Sequence, residues 1–176
     1  ALAIVVLGGV LTPSHAKDLP SCAELAARIL AYKNILAATS IVAPPAGQAP
    51  AYCQVNLTQF HAINIRVGLP LSAADGGTGG VQGAWNGKVQ NLGGGGYAGN
   101  VGAVAAPVTR GYVGSSTDTG HNAAWCNANS QPGCGLAGGG FVLDQDGDLI
   151  PWQVKDFITN SLYFQTRWAL DLARMY

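Results

Sequence analysis

The feature that most constrains this chain is a run of four glycines at residues 93–96, between two short β-prone segments. The segments cover residues 88–92 and 112–115, and small residues suited to a helix, 98–110, lie between the run and the second segment. This pattern predicts a strand–loop–helix–strand unit with parallel strands. Each glycine costs backbone entropy on folding, so four in a row exceed what a tight turn needs. The run therefore predicts a loop whose backbone, free of side chains, contacts a ligand.

The segments before the glycine run predict antiparallel strands. Residues 52–57 and 63–69 alternate apolar and polar side chains, and Pro70 ends the second segment. A third β-prone piece, 39–43, stops at two prolines. These strands follow one another directly, without helices between them. The sequence therefore predicts an α/β fold in which antiparallel entry strands precede the parallel unit.

Helices are predicted at both ends of this sheet. Ser21 and Glu24 have the spacing of a capping box for a short helix. Residues 152–176 carry large apolar side chains at helical spacing, which favours a core-facing stripe over a cofactor-binding face. The stripe consists of Phe157, Phe164, Trp168, Leu172 and Met175.

The first residues resemble the apolar part of a signal peptide. Residues 2–11 are apolar, too short to cross a membrane, and a small-residue cleavage site precedes Lys17. We expect residues 1–16 to be part of a signal peptide and 17–176 to form the folded unit, in a secreted or periplasmic protein. The alternative is a buried first strand.

The chain has four cysteines, which suit disulfides in an exported protein. Four cysteines allow three pairings, and sequence alone does not choose between them. Closeness along the chain favours Cys22–Cys53 and Cys126–Cys134. No spacing typical of a zinc site is present.

Charge excludes one class of function. Lys plus Arg equal Asp plus Glu, and only 10% of residues are charged. A protein that tracks nucleic-acid phosphates would carry a basic excess, so nucleic acid is not an expected partner. No membrane partner is expected either.

Two functional interpretations of the glycine run compete. Gly94-x-Gly96-x-x-Gly99, with Asp118 at the end of the next strand, fits a dinucleotide-binding fingerprint. The expected export signal and the strands before the motif argue against it. Alternatively, the run supplies bare amides to an oxyanion hole, as the loop after the third strand does in α/β-hydrolases.

Several motifs resemble the tannase/feruloyl esterase family in order and spacing. They are Trp85-Asn86-Gly87, the segment GGGGYAG at 93–99, Arg110-Gly111-Tyr112 and the segment STDTGH at 116–121. Cys53 in YCQV, with Cys22 before it, is similar to that family's N-terminal disulfide. The resemblance covers residues 22–176.

This resemblance implies a secreted serine esterase of the α/β-hydrolase fold that cleaves gallate, ferulate or related aromatic esters. It implies no required cofactor, although calcium occurs in the family's later lid domain. Gly94 and Gly95 would form the oxyanion side of the site. The residues expected to line the site are Gly93, Gly96, Tyr97, Thr117, Asp118 and His121. The acidic loop at 144–148 is expected to be a solvated turn.

The sequence departs from the family pattern because it contains no G-x-S-x-G. The nearest match, beginning at Gly114, has Asp118 in the last position. We therefore expect an N-terminal fragment without the catalytic serine, inactive by itself. Asp118 and His121 are expected to shape the site and hold its loops, outside the triad. A non-catalytic secreted binding protein is the third possibility.

Overall fold

The computed structural model of the chain describes residues 19–78, 84–97, 99–122, 134–135 and 138–176. The predicted signal segment and Cys126 lie outside this part, so the expected Cys126–Cys134 pairing stays a prediction. Within the described ranges, no helix has the length and apolar character needed to span a bilayer.

A five-stranded mixed sheet has the order β1-β2-β3-β5-β4. Three of its pairings are antiparallel, and only β4 and β5 are parallel. This confirms the predicted α/β fold with antiparallel entry strands and a parallel continuation. The strands are β1 (Ile35–Ala43), β2 (Tyr52–Gln59), β3 (Ile63–Pro70), β4 (Val89–Leu92) and β5 (Val113–Thr117). Cys134–Gly135 (β6) and Gly138–Gly139 (β7) form a separate small hairpin.

Helices pack on both faces of the sheet. They are α1 (Cys22–Leu30), α2 (Ala105–Thr109), α3 (Pro151–Lys155) and α4 (Ser161–Met175). A π-helical turn, Asp156–Asn160, joins α3 to α4. Short 3₁₀ turns lie at Ala73–Asp75 and Gly140–Val142.

The predicted helix at 98–110 is wrong in extent, because only Ala105–Thr109 is helical. Residues 99–104 run as a loop, held by a hydrogen bond from the Gly102 amide to Ser116 Oγ (2.8 Å). A contact between separate segments therefore outweighs the local helix propensity there.

Period-two alternation in β2 and β3 builds the main core. Val55, Leu57 and Val67 point to the same face, where they meet apolar residues of α1 and α4. On the opposite face, α2 lies on two glycines that pair in register, Gly68 and Gly114. A Cβ on Gly68 would come within 2.7 Å of Val104 Cγ2, so the missing side chains let α2 approach the sheet.

Two tethers fix the first helix. The Cys22–Cys53 disulfide joins α1 to β2, which confirms that predicted pairing. Asp75 Oδ2 accepts hydrogen bonds from the Cys22 amide and the Tyr176 hydroxyl, each at 2.7 Å. The capping interaction is also present, because the Ser21 amide donates to Glu24 (2.7 Å) and lowers the pKa of that carboxyl group.

Candidate functional site

A cavity of about 330 Å³ lies at the carboxyl ends of β4 and β5. Parallel neighbours end at the same edge of a sheet, so the loop after β4 and the residues ending β5 meet there. The third wall is the π-helical turn and the start of α4. The lining residues are Gly93, Gly94, Gly96, Thr117, Thr119, Phe157, Ile158 and Leu162.

The glycine run is exposed, and only part of it has a conformational reason to be glycine. Gly96 has a φ of 57°, which favours glycine. Gly93 and Gly95 have no positive φ, and a Cβ on either would meet nothing within 4 Å. Neither backbone strain nor packing therefore explains the glycine at these two positions.

The end of β5 is held by hydroxyl groups and carries local strain. Thr117 Oγ1 donates to the Asn64 carbonyl (3.0 Å) and accepts from the Thr119 amide (3.2 Å). Thr119 has a φ of 57°, which is rare for a β-branched residue and costs about 1–3 kcal/mol. The surrounding hydrogen bonds keep the turn in this conformation.

Asp118 is fully buried, and its carboxylate is saturated with neutral donors. Oδ1 accepts from the amides of Asn64 and Gly120, each at 2.9 Å. Oδ2 accepts from the side-chain amides of Asn64 (2.6 Å) and Asn122 (2.7 Å). A carboxylate with four such partners fixes the turn after β5 and has little capacity left for a ligand.

His121 joins this turn to the glycine loop. Its Nε2–H donates to the Tyr97 carbonyl (2.8 Å), and Nδ1 lies 2.9 Å from Thr119 Oγ1. The imidazole stacks on Phe141 with the ring centroids 3.8 Å apart, and it is 2% exposed. Both ring nitrogens therefore have partners within the protein.

The apolar wall of the cavity comes from the helix that follows the acidic loop. Phe157 is half-buried and meets the His121 ring edge-on, with centroids 5.4 Å apart. Ile158 and Leu162 are 61% and 50% exposed. The cavity thus combines bare backbone and hydroxyl groups on one side with apolar side chains on the other.

The structure brings together four of the predicted site residues at the cavity surface: Gly93, Gly94, Gly96 and Thr117. Gly95 lies beside them in the exposed run. Tyr97, Asp118 and His121 are not among the lining residues, but they connect the loops through the contacts above. Asp118 and His121 are buried, whereas the Tyr97 side chain is exposed. The residues that sequence reasoning did not assign to the site are Thr119, Ile158, Leu162 and Phe157. Phe157 belonged to the helical stripe interpreted as core, and no signal in the sequence indicated the π-helical turn that carries it.

The acidic loop forms a turn built on Asp144. Its Oδ1 accepts from the amides of Asp146 (3.0 Å) and Asp148 (2.9 Å), and Gly147 has a φ of 88°. Among the described residues, no group of three or more His, Cys, Asp or Glu side chains is arranged to hold a metal ion. Calcium binding stays a prediction about the later lid.

No family model matches this chain, and no curated protein or solved structure matches it either.

Proposed function

We propose that this cavity is the oxyanion side and acyl pocket of a secreted carboxylic ester hydrolase that acts on aromatic esters such as gallates or ferulates. In this proposal, residues 17–176 are the N-terminal part of an α/β-hydrolase catalytic domain of the tannase/feruloyl esterase type.

The open space at Gly93 and Gly95 carries the proposal. Glycine at a position without positive φ or close neighbours costs about 0.5–1 kcal/mol and brings the fold no benefit. An approaching ester carbonyl supplies a reason for it, because a side chain would block the backbone. The amides of Gly94 and Gly95 form no hydrogen bond with the described residues, which leaves them able to donate to such an oxygen.

The chemistry of the walls suits an aryl ester. Amides at Gly94 and Gly95 would stabilise negative charge on the carbonyl oxygen, at about 3–4 kcal/mol for a well-placed donor. Phe157, Ile158 and Leu162 present apolar surface for an aromatic ring.

The sheet supports the fold part of the proposal. β2, β3, β5 and β4 are neighbours in that order, with β3 antiparallel to both of its partners and β4 parallel to β5. An α/β-hydrolase begins with this arrangement, and the glycine run follows the strand that it follows in that fold. The Cys22–Cys53 disulfide suits an oxidising compartment.

These residues are not proposed to supply the nucleophile, because the sequence contains no G-x-S-x-G. A serine from another part of the protein would attack the ester carbon and form an acyl-enzyme, which water then hydrolyses. The residues described above would bind the ring and stabilise the oxyanion in both steps.

Two observations argue against the dinucleotide alternative. The Asp118 carboxylate, which would bind a ribose hydroxyl, is buried and already has four donors. The glycine loop also does not open a helix, since α2 begins at Ala105 and has five residues. Pyrophosphate binding in that fold uses the helix N-terminus directly after the loop.

The proposal predicts that the gene encoding these residues also encodes a G-C-S-x-G-G segment, and that its full product hydrolyses methyl gallate or methyl ferulate. In that product, Gly95→Ala should lower kcat about 100-fold, because the new methyl group would keep the ester carbonyl away from the backbone donors. Its stability should be unchanged or higher by up to about 1 kcal/mol, since the substituted side chain meets open space. Gly47→Ala is the matched control. Gly47 has a φ of 60° in the β1–β2 turn at the other edge of the sheet, so this variant should lose about 1 kcal/mol of stability and keep kcat.

Full activity in a folded Gly95→Ala variant would contradict the proposed oxyanion site. Ester hydrolysis by residues 17–176 alone would contradict the assignment of the nucleophile. A change in NADPH or NADH fluorescence on mixing with the protein would favour the dinucleotide alternative. No activity in the full product would favour a non-catalytic binding protein.

A further inference from the structure

A second cavity, of about 340 Å³, lies on the face of the sheet that points away from the main core. β1, β2 and β3 form its floor, and Val101 forms part of its rim. Leu57 and Ile65 contribute backbone only, because their side chains are buried in the main core. Strand alternation then leaves the polar side chains of β2 and β3 facing the cavity.

These polar side chains form a row across the sheet. Thr39, Asn56, Arg66 and Ser116 are successive register partners on β1, β2, β3 and β5. Arg66 lies near the middle of the row, where its Nε donates to Asn56 Oδ1 (2.8 Å). This bond fixes the guanidinium and commits the oxygen of the Asn56 amide.

The groups that Arg66 and Asn56 leave unpaired are donors. The two terminal nitrogens of Arg66 remain beyond the bond to Asn56, and the Asn56 amide retains its NH₂ group. None of the ten residues that line the cavity is acidic. Among the described residues, Arg66 forms no ion pair. The cavity is therefore cationic and rich in hydrogen-bond donors.

Asp118 forms a hydrogen bond with one residue of this cavity but no ion pair with Arg66. The side-chain amide of Asn64 donates to Asp118 Oδ2 at 2.6 Å, and Thr58 Oγ1 donates to Asn64 Oδ1 at 2.8 Å. The Asp118 charge is thus held by amide donors at the end of β5.

We propose that this cavity binds a small organic carboxylate through the Arg66 guanidinium, with Asn56 Nδ2 as a second donor. A guanidinium presents parallel N–H groups that match the two oxygens of a carboxylate. The apolar side chains of Ala37 and Val101 at the cavity favour an organic anion over an inorganic one. The two cavities share no lining residue, and this proposal is independent of the proposed ester hydrolysis.

The test is a titration of the isotope-labelled 176-residue chain with sodium benzoate, followed by NMR shifts of backbone amides and of the Arg66 Nε–H. Saturable shifts at Asn56 and Arg66 are expected. Arg66→Gln should abolish them, and Arg66→Lys should weaken binding about tenfold, because lysine lacks the planar fork. Arg110→Gln is the matched control, since Arg110 lies outside this cavity and donates to Gln90; it should keep the shifts.

Asn56→Asp provides a test that does not remove Arg66. The substitution keeps the side-chain shape but places a carboxylate beside the guanidinium, so benzoate should no longer bind. No saturable shift in the natural chain, or unchanged shifts in a folded Arg66→Gln or Asn56→Asp variant, would overturn the proposal. Sodium phosphate that binds as tightly as benzoate would overturn the assignment to an organic carboxylate.

Discussion

His121 Nε2 donates a hydrogen bond to the carbonyl oxygen of Tyr97, and this 2.8 Å contact ties the turn after β5 to the loop after β4. The two loops form the backbone side of the cavity. Gly99 makes the contact possible, because a Cβ at that position would lie 2.6 Å from the His121 carbonyl oxygen. The alignment of the glycine run against Thr117 and Thr119 therefore depends on a buried histidine and a glycine that do not line the cavity.

Gly99→Ala should destabilise the protein by about 1–3 kcal/mol, since the new methyl group meets backbone that cannot move aside easily. Gly93→Ala is the matched substitution, with open space at the Cβ and no positive φ. It should be neutral or should stabilise the protein by up to about 1 kcal/mol, because alanine lowers the conformational entropy of the unfolded chain. Urea unfolding of both variants measures the difference. Equal losses would contradict the described position of His121 against Gly99.

The strands of the sheet could be predicted from the sequence, because their signals are local. Apolar and polar residues alternate in β2 and β3, and the glycine run marks the end of β4. Closeness along the chain favoured the Cys22–Cys53 pairing without excluding the other pairings. The site was predictable only in part. The glycine run and the residues 117–121 are adjacent to strand ends, whereas Phe157 reaches the cavity from a distant helix.

The missed features arise from contacts between segments that are far apart in sequence. Residues 99–104 have helix propensity but run as a loop that packs on His121 and Ser116. The π-helical turn inserts an extra residue into the repeat of the long helix, so an even 3.6-residue period places Phe157 with the core residues of α4. The strain at Thr119 is equally invisible in sequence, because it depends on Asp118 and its donors.

The close packing of α2 on the sheet predicts an energetic coupling between Gly68 and Val104. Gly68→Ala should cost about 1–3 kcal/mol, because the new Cβ would lie 2.7 Å from Val104 Cγ2. Val104→Ala removes that atom, so the double variant should lose less stability than the sum of the single variants, with a coupling of about 1 kcal/mol. A double-mutant cycle from urea unfolding measures it.

Gly114→Ala is the control for this cycle. Its Cβ would meet Pro107 and the backbone oxygen of Val104, each at 2.9 Å, and Val104→Ala removes neither. Two results would contradict this packing of α2 on the two glycines. One is rescue of Gly114→Ala by Val104→Ala, and the other is strict additivity of the stability losses of Gly68→Ala and Val104→Ala.

The Cys22–Cys53 disulfide closes a separation of 31 residues between two fully buried side chains. The chain-entropy relation gives a stabilisation of about 3–4 kcal/mol for a loop of this length. The Cys22→Ala/Cys53→Ala double variant should lose about that much free energy of unfolding, and this design leaves the other two cysteines untouched. A loss below about 1 kcal/mol would indicate that the tether constrains the unfolded chain little.

Tyr176 gives the fold a dependence on alkaline pH. Burial, and then the hydrogen bond to Asp75, raise the pKa of the Tyr176 hydroxyl from 10.0 to about 12. In the unfolded chain this hydroxyl ionises near its ordinary pKa, whereas in the folded chain it stays protonated to higher pH. The contribution to stability is therefore complete below pH 10 and is lost as pH rises through about 12, by up to about 2 kcal/mol.

Tyr176→Phe should remove this part of the alkaline dependence, because no hydroxyl remains to ionise. At pH 8 the variant should lose about 1–3 kcal/mol, since Asp75 then keeps only the bond from the Cys22 amide. Tyr163→Phe is the control, because Tyr163 is 60% exposed and its loss should leave the pH profile unchanged. Urea unfolding across this alkaline range measures all three proteins, and a profile for Tyr176→Phe that parallels the natural chain would place the titrating group elsewhere.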